Sequence, residues 1–134
     1  MASVKRLHHV SIPMPPDGLA KARAFYGDQL GLEEKVPPKA LGTENFAWFR
    51  LGDDGDELHV FTEDGMPSAG QHFCMEVDDI DVWRDDLAAK GIQIEETVPI
   101  DNRPRFFIRD PFMNRIEITQ ITGVYTPAFD DVQA

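Results

Sequence analysis

The strongest constraint on the fold is an internal repeat, because the predicted elements of the first half recur in the second. Short runs rich in β-branched and aromatic residues predict strands at residues 7–12, 45–51, 57–62, 71–77, 105–109 and 115–119, with weaker strands at 33–36 and 93–97. One helix is predicted at 18–29, after Asp17 as N-cap and ending near Gly31. A second is predicted at 80–90, after Asp79 and before Gly91. Each half therefore contains a strand, a helix and three further strands.

Equivalent residues of the two halves lie at a nearly constant offset. The offsets are 63, 60, 59 and 58 residues for four pairs: His9 and His72, Gly31 and Gly91, Trp48 and Phe107, and His59 and Glu117. The first module covers about residues 5–63 and the second about 71–122, with a Gly-, Pro- and Ser-containing linker at 64–70 and a tail at 123–134. We therefore predict a single α+β domain over 1–134, in which two βαβββ modules form a cup-shaped, eight-stranded mixed sheet around a shared cavity.

The charge of the chain limits its partners. It has 13 basic and 24 acidic residues, and this formal net charge of −11 repels phosphate backbones and anionic membranes, so neither nucleic acid nor a membrane is an expected partner. No apolar run approaches the ~20 residues of a membrane span, and residues 1–7 do not resemble a secretory signal. A single cysteine, Cys74, excludes an internal disulfide. We expect a cytoplasmic protein that acts on a small molecule.

Strand alternation collects the ligand-type side chains on one face. Successive side chains of a strand point to opposite faces, and in four strands the apolar set suits the face covered by a helix. The opposite face then carries His9, His59, His72 and Glu117. Neighbouring His8 falls on the other face and is left out. A single histidine on a strand is more often an ordinary hydrogen-bonded side chain. The occurrence of all four ligand-type residues on one face therefore predicts a site for a divalent metal ion, which could be Zn, Ni, Mn, Co or Fe.

The same alternation predicts a pocket wall beside the metal. Its members are aromatic and guanidinium side chains, namely Phe46, Trp48, Arg50, Phe61, Arg105 and Phe107, with Arg109 inward or at the rim. Such a wall suits a small, partly apolar substrate with an anionic or carbonyl group. The alternative is that the aromatic rings only fill space and the arginines lie at the surface.

Five segments resemble the vicinal oxygen chelate superfamily of glyoxalases, epimerases, extradiol dioxygenases, and fosfomycin and bleomycin resistance proteins. They are LHHVSIPM, ARAFYGDQLGLEE, ELHVF, QHFCMEVDDID and RDPFMNRIEI, and they extend from residue 7 to about 119 in the order of that family. The resemblance implies that His9, His72 and Glu117 hold metal and that His59 occupies a fourth position used by glyoxalase-like and epimerase-like members.

Two positions depart from the pattern of that superfamily. Glyoxalase I generally has Glu where this chain has His59, which argues against authentic glyoxalase I activity. Met113 stands in the DPFMN turn where Gly is usual, and because Met tolerates a positive φ poorly, we expect a rearranged turn.

The resemblance implies a metal-dependent lyase or isomerase in which the metal stabilises an enolate or oxyanion. Glu117 is the candidate general base, with Glu76 as its alternate. One alternative is an Fe(II) extradiol-type dioxygenase that uses His9, His72 and Glu117. Another is a non-catalytic binding protein of the bleomycin-resistance kind, whose members typically lack the metal residues. A homodimer is expected, with modules paired within or between chains, and the tail at 124–134 shows no periodicity.

Overall fold

The structure is a computed structural model that describes residues 2–129. Its elements in chain order are β1 (His9–Met14), α1 (Leu19–Ala22), a π-helical segment (Arg23–Gln29), β2 (Glu34–Lys35), β3 (Phe46–Leu51), β4 (Asp56–Thr62), β5 (His72–Glu76), α2 (Ile80–Ala89), β6 (Arg105–Arg109) and β7 (Arg115–Thr119). The end of the predicted tail, 130–134, and the first residue of the N-terminal stretch lie outside the described residues.

The described chain divides into two compact units. The first comprises residues 2–71 and 109–114, and the second comprises 72–108 and 115–129. The first unit contains a four-stranded sheet in the order β1-β4-β3-β2, in which β1 is parallel to β4 and β3 is antiparallel to β4 and β2. The order β5-β7-β6 defines a three-stranded sheet, in which β5 is parallel to β7. The predicted α+β class with mixed strand pairing is confirmed.

The predicted strand at 93–97 is replaced by a single bridge. Glu95 and Phe107 exchange backbone hydrogen bonds of 2.8 and 2.9 Å, and no ladder extends from them among the described residues. Two consecutive glutamates have low strand propensity, and Pro99 removes a backbone donor just beyond them. Residues 2–129 therefore contain seven strands in two sheets rather than eight in one, and the cup shape stays a prediction.

The two helical regions differ in how they begin. Helix α1 has Gly18 rather than the predicted Asp17 as its N-cap, without a side-chain cap hydrogen bond. A Cβ at Gly18 would lie 3.0 Å from both Phe112 and the carbonyl oxygen of Pro15, so this close approach requires glycine. The N-cap of α2 is Asp79, as predicted, and its carboxylate accepts the backbone N–H groups of the next turn at 3.1 and 3.2 Å.

The ends of both helical regions and the sheet faces agree with the sequence. Gly31 and Gly91 both have φ = 77°, the left-handed conformation that ends a helix. In the first unit, buried Phe49 packs 5.8 Å from the Tyr26 ring of the helical segment. In the second unit, the Arg84 guanidinium of α2 lies 4.9 Å from the buried Phe106 ring. In both units the apolar set of a strand therefore faces the helix, and we call the opposite face of each sheet its site face.

In the turn at 110–114, Met113 adopts φ = 75°, a left-handed conformation. Asp110 accepts the backbone N–H groups of Phe112 and Asn114 at 2.9 and 2.8 Å, and its other oxygen accepts the Tyr26 hydroxyl at 2.7 Å. These bonds determine the backbone path, so Met is held in a conformation that would favour Gly. Met113 therefore takes the positive φ at which Gly is favoured, and a turn rearranged relative to the superfamily stays a prediction.

The helices of residues 2–129 give no indication of a membrane span, since none combines the required length with sufficient apolar character.

Candidate functional site

Three aromatic rings stack on the site face of the first unit. The β3–β4 register pairs Trp48 with His59, and their rings lie 3.5 Å apart with 6° between planes. The His9 ring lies on the other side of the stack, 4.0 Å from that of His59 and tilted by 21°. His59 is only 8% exposed. The structure therefore brings together the two predicted ligands of this unit and fixes the ring plane of His59.

Glu57 lies beside this stack and was missed by the sequence analysis. Its Oε1 lies 2.8 Å from His59 Nε2, and its Oε2 accepts a hydrogen bond from the Lys35 ammonium. The hydrogen bonds from Lys35 and then from His59 lower the pKa of Glu57 to about 2, so the group is a carboxylate at neutral pH. Alternation could have found Glu57, since it precedes His59 by two residues on the same strand. The contact between Lys35 and Glu57 depends on sheet register, so only the structure reveals it.

Burial has the largest effect on His59 itself. Desolvation lowers the pKa of its imidazole and outweighs the hydrogen bond that the ring makes to the Glu57 carboxylate, which acts in the opposite direction. The ring is therefore neutral at neutral pH. Because an ionised carboxylate can only accept, His59 Nε2 must carry the proton of this neutral ring and donate it to Glu57.

His8, which alternation left out of the predicted ligand set, lies in contact with the stack. Its Nδ1 lies 3.0 Å from His9 Nδ1, and the two rings meet edge to face at 5.2 Å. Strand β1 begins only at His9, so the alternation rule does not apply to His8.

The site face of the second unit contains the other two predicted ligands. His72 Nε2 lies 3.1 Å from Glu117 Oε1, and the other carboxylate oxygen lies 3.5 Å from an Arg105 nitrogen. Strand register places Cys74 directly opposite Glu117 and Glu76 opposite Thr119. The predicted base, its alternate and one imidazole therefore share one face of β5 and β7.

The geometry of His72 and Glu117 fits a divalent ion. Two ligand atoms at ~2.1 Å from one ion, separated by roughly 90–110°, lie about 3.0–3.4 Å apart. The observed 3.1 Å is within that range. His59 fits only through Nδ1, because its Nε2 is engaged by Glu57. Within residues 2–129, no three His, Cys, Asp or Glu side chains are grouped closely enough to hold an ion, so the full ligand set remains a prediction.

The Cys74 thiol is protonated at neutral pH. Desolvation and then the charge of Glu117 raise the pKa of its thiol to about 12. The residue is exposed, so water weakens the desolvation, but both causes act in the same direction. The thiol stays protonated beside the Glu117 carboxylate.

The predicted wall residues have different surroundings in the two units. In the first unit, strand register places Phe46, Trp48, Arg50 and Phe61 on the site face. In the second, Phe107 is 3% exposed, with the His72 ring edge-on at 4.9 Å and the guanidinium groups of Arg115 and Arg105 at 3.6 and 5.8 Å from its centre. Phe107 therefore supports His72.

Arg109, which the sequence analysis placed inward or at the rim, binds backbone. Its guanidinium donates to the carbonyl groups of Met113 and Ala69 at 3.1 and 2.9 Å. These contacts join the turn at 110–114 to the segment before β5, so they give Arg109 a role in holding the backbone of the first unit.

A separate cavity of about 250 Å³ lies in the first unit. It is lined by three chain segments that include Pro13, Gly18, Lys21, Met66 and Phe112. None of the six predicted wall residues lines this cavity of the described chain. It is therefore distinct from the site face that bears His9 and His59.

Comparison with known proteins places this arrangement in a family. Residues 6–118 match the sequence profile of the glyoxalase/bleomycin resistance protein/dioxygenase superfamily. The chain belongs to this superfamily. The prediction from the five sequence segments is confirmed, and the match extends from before β1 to residue 118, the penultimate residue of β7.

Individual members of the superfamily resemble the chain to different extents. Mitochondrial methylmalonyl-CoA epimerase of Bos taurus is 36% identical over 119 residues, covering 77% of this chain and 66% of that protein, slightly less than two thirds of its length. A crystal structure described as a glyoxalase family protein of Bacillus anthracis has 30% identity, with a TM-score of 0.84 over 90% of this chain and 98% of the other. Lactoylglutathione lyase of Agrobacterium tumefaciens has 26% identity, with a TM-score of 0.68 over 89% and 96%.

Proposed function

We propose that this chain is a metal-dependent isomerase of the epimerase kind, which removes and returns a proton at a carbon next to a carbonyl group. The observation that carries the proposal is the 3.1 Å contact between His72 Nε2 and Glu117 Oε1, which joins a ligand-type imidazole to a candidate base. The similarity to methylmalonyl-CoA epimerase supports an isomerase over a lyase.

In this proposal, a divalent ion is held by His9, His59, His72 and Glu117. Zn, Ni, Mn, Co and Fe all suit imidazole and carboxylate donors. Support comes from the contacts within each unit, where His9 stacks on His59 and His72 lies beside Glu117. Such an ion would stabilise the negative charge that develops on a substrate oxygen.

Glu117 is the proposed base. Its carboxylate removes the proton from the substrate carbon, so a C–H bond breaks and an O–H bond forms, while the electron pair moves to the adjacent carbonyl oxygen. Return of a proton to the carbon completes the reaction without oxidation or reduction. Inversion requires a donor on the opposite side of the carbon, and Glu76 on the same sheet face is the candidate for that role.

The proposed substrate is a small acyl thioester that also bears a carboxylate. Two oxygen-containing groups suit chelation, and Arg105 and Arg115 supply local positive charge in a strongly acidic chain. Arg105 already lies 3.5 Å from Glu117, so an arriving substrate carboxylate would compete for its guanidinium. Methylmalonyl-CoA is the first compound to test because the similar epimerase is named for it.

The decisive experiment is hydrogen exchange at the substrate carbon. Metal-loaded and chelator-treated protein are incubated with methylmalonyl-CoA in D₂O, and deuterium at C2 is measured by mass spectrometry. We expect exchange only with the metal-loaded protein. Conversion of methylglyoxal and glutathione to lactoylglutathione, without hydrogen exchange in the thioester, would instead indicate a lyase. Oxygen uptake with a catechol and Fe(II) would indicate a dioxygenase.

Metal content and assembly provide two further checks. Protein purified without added metal should contain close to one equivalent of a transition ion per chain by elemental analysis. We also propose a homodimer, as is common in the superfamily, and sedimentation equilibrium measures this directly. A metal-free protein that binds no transition ion on titration would contradict the proposal.

A further inference from the structure

Lys35, Glu57 and His59 form a connected chain of side chains on the site face of the first unit. Strand register aligns Lys35 with Trp48 and Trp48 with His59 in one row across β2, β3 and β4. Glu57 lies two residue pairs further along β4, opposite Arg50 and on the same face as His59. The Lys35 side chain therefore crosses β3 to reach a carboxylate on the next strand.

Each carboxylate oxygen of Glu57 has its own partner. Oε2 pairs with the Lys35 ammonium, and Oε1 lies 2.8 Å from His59 Nε2. Glu57 is 7% exposed and His59 is 8% exposed, so water competes little for these contacts. A carboxylate paired with an ammonium group can only accept a hydrogen bond, so the imidazole of His59 must be the donor in its contact with Glu57.

The aromatic stack prevents the imidazole from escaping this arrangement. Trp48 lies 3.5 Å from one face of the His59 ring and His9 lies 4.0 Å from the other. The ring therefore cannot tilt out of plane without breaking both contacts. Its orientation is determined by the stack, and its proton position is determined by Glu57.

We propose that Glu57, anchored by Lys35, is a positioning residue that holds His59 as the Nε2–H tautomer, so that Nδ1 is the nitrogen offered to a metal ion. This inference rests on the proposed function, because it is the proposed function that assigns a metal ion to this site. Metal-bound histidines commonly donate their second ring N–H to a carboxylate, which orients the ring and increases its basicity.

The competing explanation is that Lys35 and Glu57 form an ion pair that matters only for folding. Buried ion pairs are often no better for stability than apolar residues of similar size, so stability alone cannot separate the two roles. Zinc affinity does separate them, because a pair that matters only for folding would leave the dissociation constant for Zn²⁺ unchanged in folded Glu57→Leu.

The test is ¹⁵N nuclear magnetic resonance of the histidine rings in the metal-free full chain at pH 7. We expect a pyrrole-type Nε2 and a pyridine-type Nδ1 for His59. An Nδ1–H tautomer, an even mixture or a doubly protonated ring in the unmodified protein would overturn the proposal, and this measurement requires no variant to fold.

Variants then assign the effect to Glu57. Glu57→Leu should convert His59 to a mixture of tautomers, whereas Glu34→Gln, on the same sheet in an exposed pair with Arg23, should leave the spectrum unchanged. Lys35→Arg should retain the Nε2–H tautomer. An unchanged tautomer in folded Glu57→Leu would contradict the role of Glu57.

Titration with Zn²⁺ separates this inference from the proposed function. We expect the pyridine-type signal of His59 Nδ1 to shift strongly while Nε2 keeps its proton, and the dissociation constant to rise about 10–100-fold in Glu57→Leu. Zinc binding through Nε2 would overturn the inference alone. If the protein has the expected tautomer but does not bind zinc, the proposed metal site is wrong. Nδ1 of His59 is then not a metal ligand.

Discussion

The two site faces contain similar side chains in different environments. In the first unit, the His59 side chain is 10% exposed, stacked on both sides and bonded to a carboxylate that is itself paired with lysine. In the second unit, the His72 side chain is 33% exposed, and its Glu117 partner pairs with a guanidinium at 3.5 Å. The first unit therefore contains a confined imidazole and the second unit a more accessible one.

This difference suggests that Glu57 and Glu117 have different roles. A buried carboxylate with two close donors is a poor base, as the low pKa of Glu57 indicates, so its role is to position His59. Glu117 has longer contacts and greater access to solvent, which suit a group that must exchange a proton with substrate.

The largest expected effect concerns the two carboxylates. Glu117→Gln should reduce turnover of an exchanging substrate by about 100-fold or more, because the amide cannot accept the proton. Glu57→Gln should reduce it by only about 10-fold, since the amide oxygen can still accept from His59 Nε2. Steady-state kinetics with methylmalonyl-CoA measures both variants, and equal losses would remove the proposed distinction.

Breaking the Lys35–Glu57 pair should affect stability. Lys35→Met should lower the free energy of unfolding at pH 7 by roughly 1–3 kcal/mol, because a mostly buried carboxylate loses its ammonium partner. Lys90→Met in the second unit removes an exposed i,i+4 partner of Asp86 and should cost less than about 0.5 kcal/mol. Urea unfolding of both variants provides the comparison.

The same pair predicts a pH dependence. The folded-state pKa of Glu57 is about 2, below its usual 4.5, so its contribution to stability is present above pH 4.5 and is lost as pH falls toward 2. Lys35→Met should flatten the stability profile in this window. Identical acid profiles for the variant and the unmodified protein would show that the pair does not control this titration.

Removing the hydroxyl of the buried tyrosine in the first unit should lower stability more than removing that of the exposed tyrosine in the second unit. Tyr26→Phe removes the 2.7 Å hydrogen bond to buried Asp110 and should cost about 1–2 kcal/mol. Tyr125→Phe keeps the ring that lies 5.1 Å from the Arg103 guanidinium and should change stability by less than about 0.5 kcal/mol. Thermal denaturation of both variants tests the order.

The smallest effect concerns two residues with positive φ. Met113→Gly should raise stability by about 0.5–1 kcal/mol, since relief of the left-handed strain outweighs the greater freedom of the unfolded chain. Asn102→Gly should bring no gain, because Asn tolerates φ = 61° and donates a 2.7 Å hydrogen bond to the carbonyl of Val124. A gain at Asn102 that equals the gain at Met113 would refute the strain argument.

Local periodicity was sufficient to predict much of the fold. Alternation along β3 and β4 correctly separated Phe49, which faces the helical segment, from Trp48 and His59 on the site face. Gly31 and Gly91 mark the ends of equivalent helical regions with identical φ. These features depend on neighbours within a few residues, so the order of residues alone contains them.

The sequence by itself therefore determined the α+β class, the glycines that end both helical regions, the faces of β3 and β4, and the family. Only the tertiary structure decided that Lys35 reaches Glu57, that His8 meets His9, and that the 110–114 turn holds Met113 at a positive φ. It also reduced the predicted strand at 93–97 to one bridge. Each of these depends on strand register, strand ends or hydrogen bonds between distant segments, whose free energies outweigh the preferences of single residues.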